Sequence, residues 1–208
     1  MLKSINKVIK IMIFSDLIMV SGWGLVAPIL AIFIVQNIKG GDVKVAGIAI
    51  GIYWLIKSIL QLPIAHYLDK NHGEKDDFYA LVGGSILTSL VPIGFIFATL
   101  PWHMYVLQAI HAITMASVIP SWSGIFTRHI EKRREAFCWS LESSSIGVGA
   151  GIAGIVGGII VKTFGSFVPL LIGVSILELI ASFLLLLIKK ELLLKPKKEK
   201  ILTIPKVY

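Results

Sequence analysis

The sequence is short of charge and nearly without cysteine. Asp, Glu, Lys and Arg make up 15% of its 208 residues, where ordinary soluble domains carry roughly 25%. That shortage excludes a soluble globular domain with a solvated surface. A single cysteine, Cys138, excludes an internal disulfide. Metal-ligand clusters and phosphate-cradling glycine loops are missing at workable spacing, and Ser121-Trp122-Ser123-Gly124 has no partner histidine on the last spans. No enzyme, metal or cofactor is expected.

What is abundant is apolar residue, at 56% with a mean hydropathy of +0.85. Runs of about 20 apolar residues cross a bilayer as helices, because a helix satisfies its own backbone hydrogen bonds in lipid. Six such runs are predicted, at about 8–36, 44–67, 78–99, 102–125, 135–163 and 166–188, followed by a basic tail at 189–208. The first run is too long for a signal-peptide core and is expected to be retained. The connections are short, which leaves no room for a soluble domain. The expected fold is an all-α membrane protein of six transmembrane helices.

The excess of 20 basic over 12 acidic residues reports orientation. With six spans both termini share one side, and 16 of the 20 basic residues fall there. Basic residues collect on the cytoplasmic face, so both termini are expected to be cytoplasmic, in the inner cell membrane. Nucleic acid is not an expected partner; the lipid bilayer is.

A charge within the hydrocarbon costs roughly 2.5–3.5 kcal/mol on insertion scales, so each one there needs a reason. Asp16, Lys57, His111, Glu142 and Glu178 are such residues. At about 1.5 Å per residue, Asp16 lies ~9 Å, Glu142 ~10 Å and Lys57 ~15 Å from the inner helix ends. These depths allow Lys57 to pair with Asp16 or Glu142. Helical spacing aligns Trp54, Lys57 and Gln61 on the second span, Gln108, His111 and Met115 on the fourth, and Asp16 and Trp23 on the first. The expected substrate- or ion-binding set is Asp16, Trp23, Trp54, Lys57, Gln61, Gln108, His111 and Glu142, around a wet cavity. The same residues could instead lock helices together. On the fifth span Gly147, Gly151, Gly154 and Gly158 make a bare face for close helix approach, either static or moving. Pro63, Pro92, Pro120 and Pro169 mark expected kinks.

One polar knot interrupts the apolar pattern: AHYLDKNHGEKDD at 65–77. Ala65, Asp69, Lys70, Gly73 and Lys75 resemble the loop signature of the major facilitator superfamily, with Ala65 where glycine is usual and Glu74 where a basic residue is common. The stretch 119–137 resembles the family's fourth-to-fifth connection, with Arg133 and Ala136 in place. Gly149, Ala153, Gly154, Gly157 and Gly158 resemble its antiporter glycine motif, with Gly154 replacing the proline. GWGLVAPIL at 22–30 is also similar to the family's first span. The family's fourth-helix motif for proton-coupled export begins with Arg, where 105–112 offers Tyr105.

The resemblance implies a secondary transporter, antiporters included, that moves a small molecule by alternating access. The family normally has two parallel six-helix repeats, and this chain has one. A parallel homodimer would therefore complete it, rocking one bundle against the other. Asp69, Lys70 and Gly73 would form a gating latch, with Asp69 meeting the start of the partner's fifth span near 137–140. Lys75, Asp76 and Asp77 are expected in a solvated turn. Asp16 or Glu142 would carry a proton if transport is proton-coupled. The alternatives are a non-transporting scaffold and one half of a heteromeric transporter.

Overall fold

The computed structural model describes residues 5–70 and 74–193. Within them six helices are long and apolar enough to cross a bilayer: α1 (Lys7–Asn37), α2 (Val43–Lys70), α3 (Lys75–Ile96), α4 (Pro101–His129), α5 (Glu135–Phe164) and α6 (Val168–Leu193). Local chemistry sets their ends. The Asn6 side chain accepts the Val8 amide at 3.0 Å, and Asp42 accepts that of Val45 at 2.7 Å, satisfying amides that have no carbonyl in the first turn. His103 does the same for α4, its Nδ1 accepting from Thr99 at 3.0 Å and Leu100 at 3.2 Å. Gly165 closes α5 at φ +61°, a left-handed turn that glycine adopts without strain.

Proline explains the interruptions. α1 passes through a 3-10 turn at Ala27–Ile29, where Pro28 lacks the amide that would continue the ladder. α3 breaks at Leu90 and restarts as Val91–Ile96 with Pro92 in its first turn. Pro63 and Pro120 stay inside α2 and α4. Pro169 makes no kink: it occupies the first turn of α6, where a missing amide costs nothing. The helix of α6 also runs past residue 188, because Leu192 is buried against the core.

The helices pack in the spatial order α2, α4, α3, α6, α1, α5, with α1 also touching α4 and, through its second half, α2. Two apolar clusters fill the bundle. One, around Met12, Phe78, Phe126 and Leu185, lies on the side carrying both chain ends. The other, around Phe33, Phe95, Met104 and Leu171, lies on the opposite side. Hydrogen bonds between helices add to dispersion, which matters where lipid gives no hydrophobic drive to association. Ser15 donates to the Ala181 carbonyl at 2.8 Å, Thr88 to the Thr114 hydroxyl at 2.8 Å, and Ser175 to the Ser89 carbonyl.

The two ends of the row are barely covered. In its most apolar window α5 is 11% buried and α2 22%, against 50% for α3 and α4. Within the chain α5 meets α1 through Gly149, Ala153 and Gly157. A Cβ on Gly157 would overlap the Leu25 carbonyl, and one on Gly149 would press on Leu17 and Ser21. The expected stripe of Gly147, Gly151, Gly154 and Gly158 is therefore not the contact the chain makes with itself. Gly154 only grazes α1, and positions 147, 151 and 158 face open space, one helical face away from the packed one. Gly47 and Gly51 of α2 are equally open.

Candidate functional site

Two polar clusters stand out. The first lies at mid-depth and is built on aromatic rings from three helices. His111 of α4 stacks on Trp23 of α1, with centroids 4.1 Å apart and planes 7° from parallel. Its other side faces Tyr53 of α2 at 4.5 Å. Tyr53 meets Trp54 edge-on at 5.3 Å. The Lys57 ammonium sits 3.8 Å from the Trp54 ring centroid and 5.3 Å from that of Tyr53. Proximity follows from helical spacing, since Tyr53 and Lys57 are one turn apart on α2 and Gln108 and His111 nearly so on α4. The row thus runs Trp23, His111, Tyr53, Lys57, Trp54.

Several buried polar atoms here have no hydrogen-bond partner: both ring nitrogens of His111 and Oε1 of Gln108. Such orphans are rare in native cores and call for a ligand or water. Behind Trp23, Glu178 of α6 is wholly buried, its stem against Gly22 and its carboxyl group beside the Trp23 indole N–H. Gln61 is half-buried one turn further along α2, and Trp54 is 55% exposed.

Lys57 does not pair with Asp16 or Glu142. Those two carboxyl groups, both buried, turn to each other across the α1–α5 contact. Two carboxyl groups so placed have the chemistry to share one proton. Lys57, on the far side of the row, finds aromatic faces instead.

The second cluster lies at the chain-end side. Arg128 of α4 donates Nε to Glu74 at 3.0 Å and bonds Asp77 through Nη2, while His129 Nδ1 stands 3.6 Å from the same Glu74. Asp77 is buried, not solvated as expected, because it opens α3 directly beneath the guanidinium. Asp69 and Lys70 are exposed at the end of α2. Gly73 lies outside the described residues. Asp69, Asp77 and Arg128 line one groove between α2 and α4, of about 430 Å³, with Ala65, Pro120, Ser123 and Gly124. Among the described residues no group of three or more His, Cys, Asp or Glu is placed to hold a metal ion.

Of the residues expected to form the cavity, the structure brings together Trp23, Trp54, Lys57 and His111, and separately Asp16 and Glu142. Sequence reasoning passed over Tyr53, whose signal was its one-turn spacing from Lys57. It also passed over Arg128, taken only as an orientation charge, and left Glu178 out of the binding set.

A bundle of six apolar helices carrying an unsatisfied polar row at mid-depth defines an integral, multi-pass helical membrane protein. The model of the Major Facilitator Superfamily matches residues 12–206, and the chain belongs to that family of membrane transporters. Comparison with curated proteins and with solved structures finds no match.

Proposed function

We propose that this chain is one six-helix half of a transporter that moves a small molecule by alternating access, completed by a second, parallel copy of itself. The observation that carries this reading is the pair of uncovered end helices. α2 and α5 flank the polar row and keep open glycine faces at Gly47, Gly51, Gly147 and Gly151, with Leu55, Ile59, Leu62, Ile152 and Ile155 exposed beside them. Small residues in lipid let a second helix approach closely. Parallel repeats related by an axis along the membrane normal set matching helices against each other, so α2 of one copy would lie along α5 of the other. Trp54, the exposed end of the polar row, would then face a shared cavity instead of lipid.

The groove holding Asp69 supports a gate at the chain-end side, which we assign to the cytoplasm with both termini, in the inner membrane. A carboxylate docked at the first turn of the partner's α5 gains roughly 0.3–1 kcal/mol from the positive helix end. The latch holds while the cavity is open outward and parts on inward opening. If transport is proton-coupled, the Asp16–Glu142 pair is the carrier this reading assigns to the proton.

The test is a mass measurement in nanodiscs together with a crosslink between cysteines placed at Asp69 and Ser140, in a Cys138→Ser background. A mass of two chains with efficient crosslinking between copies supports the reading. Single copies, or pairs that crosslink only through other faces, remove the homodimer and point to a different partner chain.

A further inference from the structure

We propose that the site takes an organic anion with a flat aromatic body, lying against Trp54 and Tyr53 at the open end of the row and held by Lys57. This rests on the transporter reading above and names its substrate class.

Charge leads the argument. Lys57 is 8% exposed, and among the described residues no carboxylate pairs with it. Its ammonium is partly compensated by the faces of Trp54 and Tyr53, which attract a cation but accept no strong hydrogen bond from its three N–H donors. The buried carboxyl groups of the bundle are committed elsewhere. Asp16 and Glu142 face each other, and Glu178, enclosed between α6 and α1, is turned to the Trp23 indole N–H. A cationic substrate would meet an aromatic seat already filled by a tethered ammonium and be repelled. A neutral one would leave that ammonium unpaired. An anion gives it the acceptor it lacks.

A second copy does not supply that acceptor. Lys57 stands 13 residues from the end of α2 at Lys70, roughly 20 Å, whereas Glu142 stands 7 residues from the start of α5 at Glu135, roughly 10 Å. In a parallel pair the opposing Glu142 therefore lies about two turns nearer the chain-end side. What α5 presents level with Lys57 is Gly147, Val148 and Gly151, which leave room for a ligand and no charge of their own.

Shape and hydrogen bonding complete the assignment. His111 is closed between Trp23 and Tyr53, and the free π-surface for a planar ring belongs to the half-exposed Trp54 and the half-buried Tyr53 beside it. Gln108 Oε1 and the His111 nitrogens are the unpartnered groups at hand for a hydroxyl or N–H on that ring.

The experiment uses the full chain in nanodiscs and three probes of one shape: 2-naphthoate, 2-naphthylmethylamine and 2-naphthol. Binding is measured by equilibrium dialysis. The expected result is naphthoate binding at least tenfold tighter than either other probe. Lys57→Gln should remove that preference and Lys57→Arg should keep most of it, each variant first checked to have the wild-type mass and to melt cooperatively no lower than wild type. Equal or weaker binding of naphthoate than of the amine, no binding of naphthoate, or unchanged naphthoate affinity in a well-folded Lys57→Gln overturns the proposal. Counterflow of radiolabelled naphthoate in proteoliposomes separates it from the transporter reading. Lys57-dependent binding without flux upholds the anion site and sinks transport of this class. Flux of the amine in place of naphthoate upholds transport and sinks the anion site.

Discussion

The cluster at the chain-end side and the row at mid-depth are both polar, both buried in part, and finished differently. At the chain-end side Arg128 meets Glu74 and Asp77, and His129 approaches Glu74. At mid-depth Lys57 has only rings for company, and His111 and Gln108 end in unpartnered atoms. The difference lies in reach. Glu74 and Asp77 come from the start of α3 and Arg128 from the end of α4, adjacent helices whose ends can be trimmed to match. At mid-depth each side chain projects from a rigid helix wall, and an opposite charge must be built into a facing wall or brought in. The chain completes the first cluster itself and leaves polar atoms of the second without a partner.

Arg128→Ala is the largest expected break of this contrast. It strands the buried Asp77 carboxylate and should cost roughly 3 kcal/mol, the lower end for a broken buried pair because Arg128 is itself 29% exposed. The readout is thermal unfolding in detergent, and adding Asp77→Asn should recover part of the loss. If Arg128→Ala melts like wild type, the cluster is not closed in the sense argued. Next comes the contrast between the two faces of α5. Gly157→Leu drives a side chain into the Leu25 carbonyl and should destabilise the bundle by about 2 kcal/mol. Gly151→Leu, on the open face, should leave the melting of the half within roughly 0.5 kcal/mol while shifting nanodisc mass toward single copies.

Lys57→Gln should move stability in the opposite direction from Arg128→Ala. It loses a ring contact worth about 0.5–1 kcal/mol but relieves a larger insertion cost, so the melting temperature should hold or rise by the equivalent of ~1 kcal/mol. A clear fall would reveal a partner for Lys57 and sharpen the search toward the second half. The smallest effect is Thr88→Val, which removes the hydroxyl bond to Thr114 and should cost about 0.6 kcal/mol, as for polar contacts between membrane helices generally.

How much of this was legible beforehand depends on the distance between the residues concerned. Trp54 with Lys57, and Gln108 with His111, share faces by helical spacing alone, and the structure keeps them there. Tyr53 was equally legible and was missed because a tyrosine in an apolar helix looks ordinary. The pairing of Asp16 with Glu142 was not legible, since α1 and α5 are far apart in sequence and their rotation about the helix axes is set by packing. Lys57 was equally placed for either carboxylate by depth, and only the packing order α2, α4, α3, α6, α1, α5 put it on the other side of the row. Asp77 reads as loop because it follows a polar knot, yet the start of α3 tucks it under Arg128.

Composition and hydropathy by themselves determined that the chain is a six-span helical membrane protein, because lipid leaves a greasy backbone no other way to satisfy its hydrogen bonds. The order and spacing of residues around Asp69 determined the family. Tertiary structure alone decided which glycines of α5 are packed and which are open, which carboxyl groups face each other, and that Lys57 rests on aromatic rings. The physical reason is that hydropathy and spacing act along one helix. A partner across a helix interface depends on rotations and offsets that only the packing of all six can set.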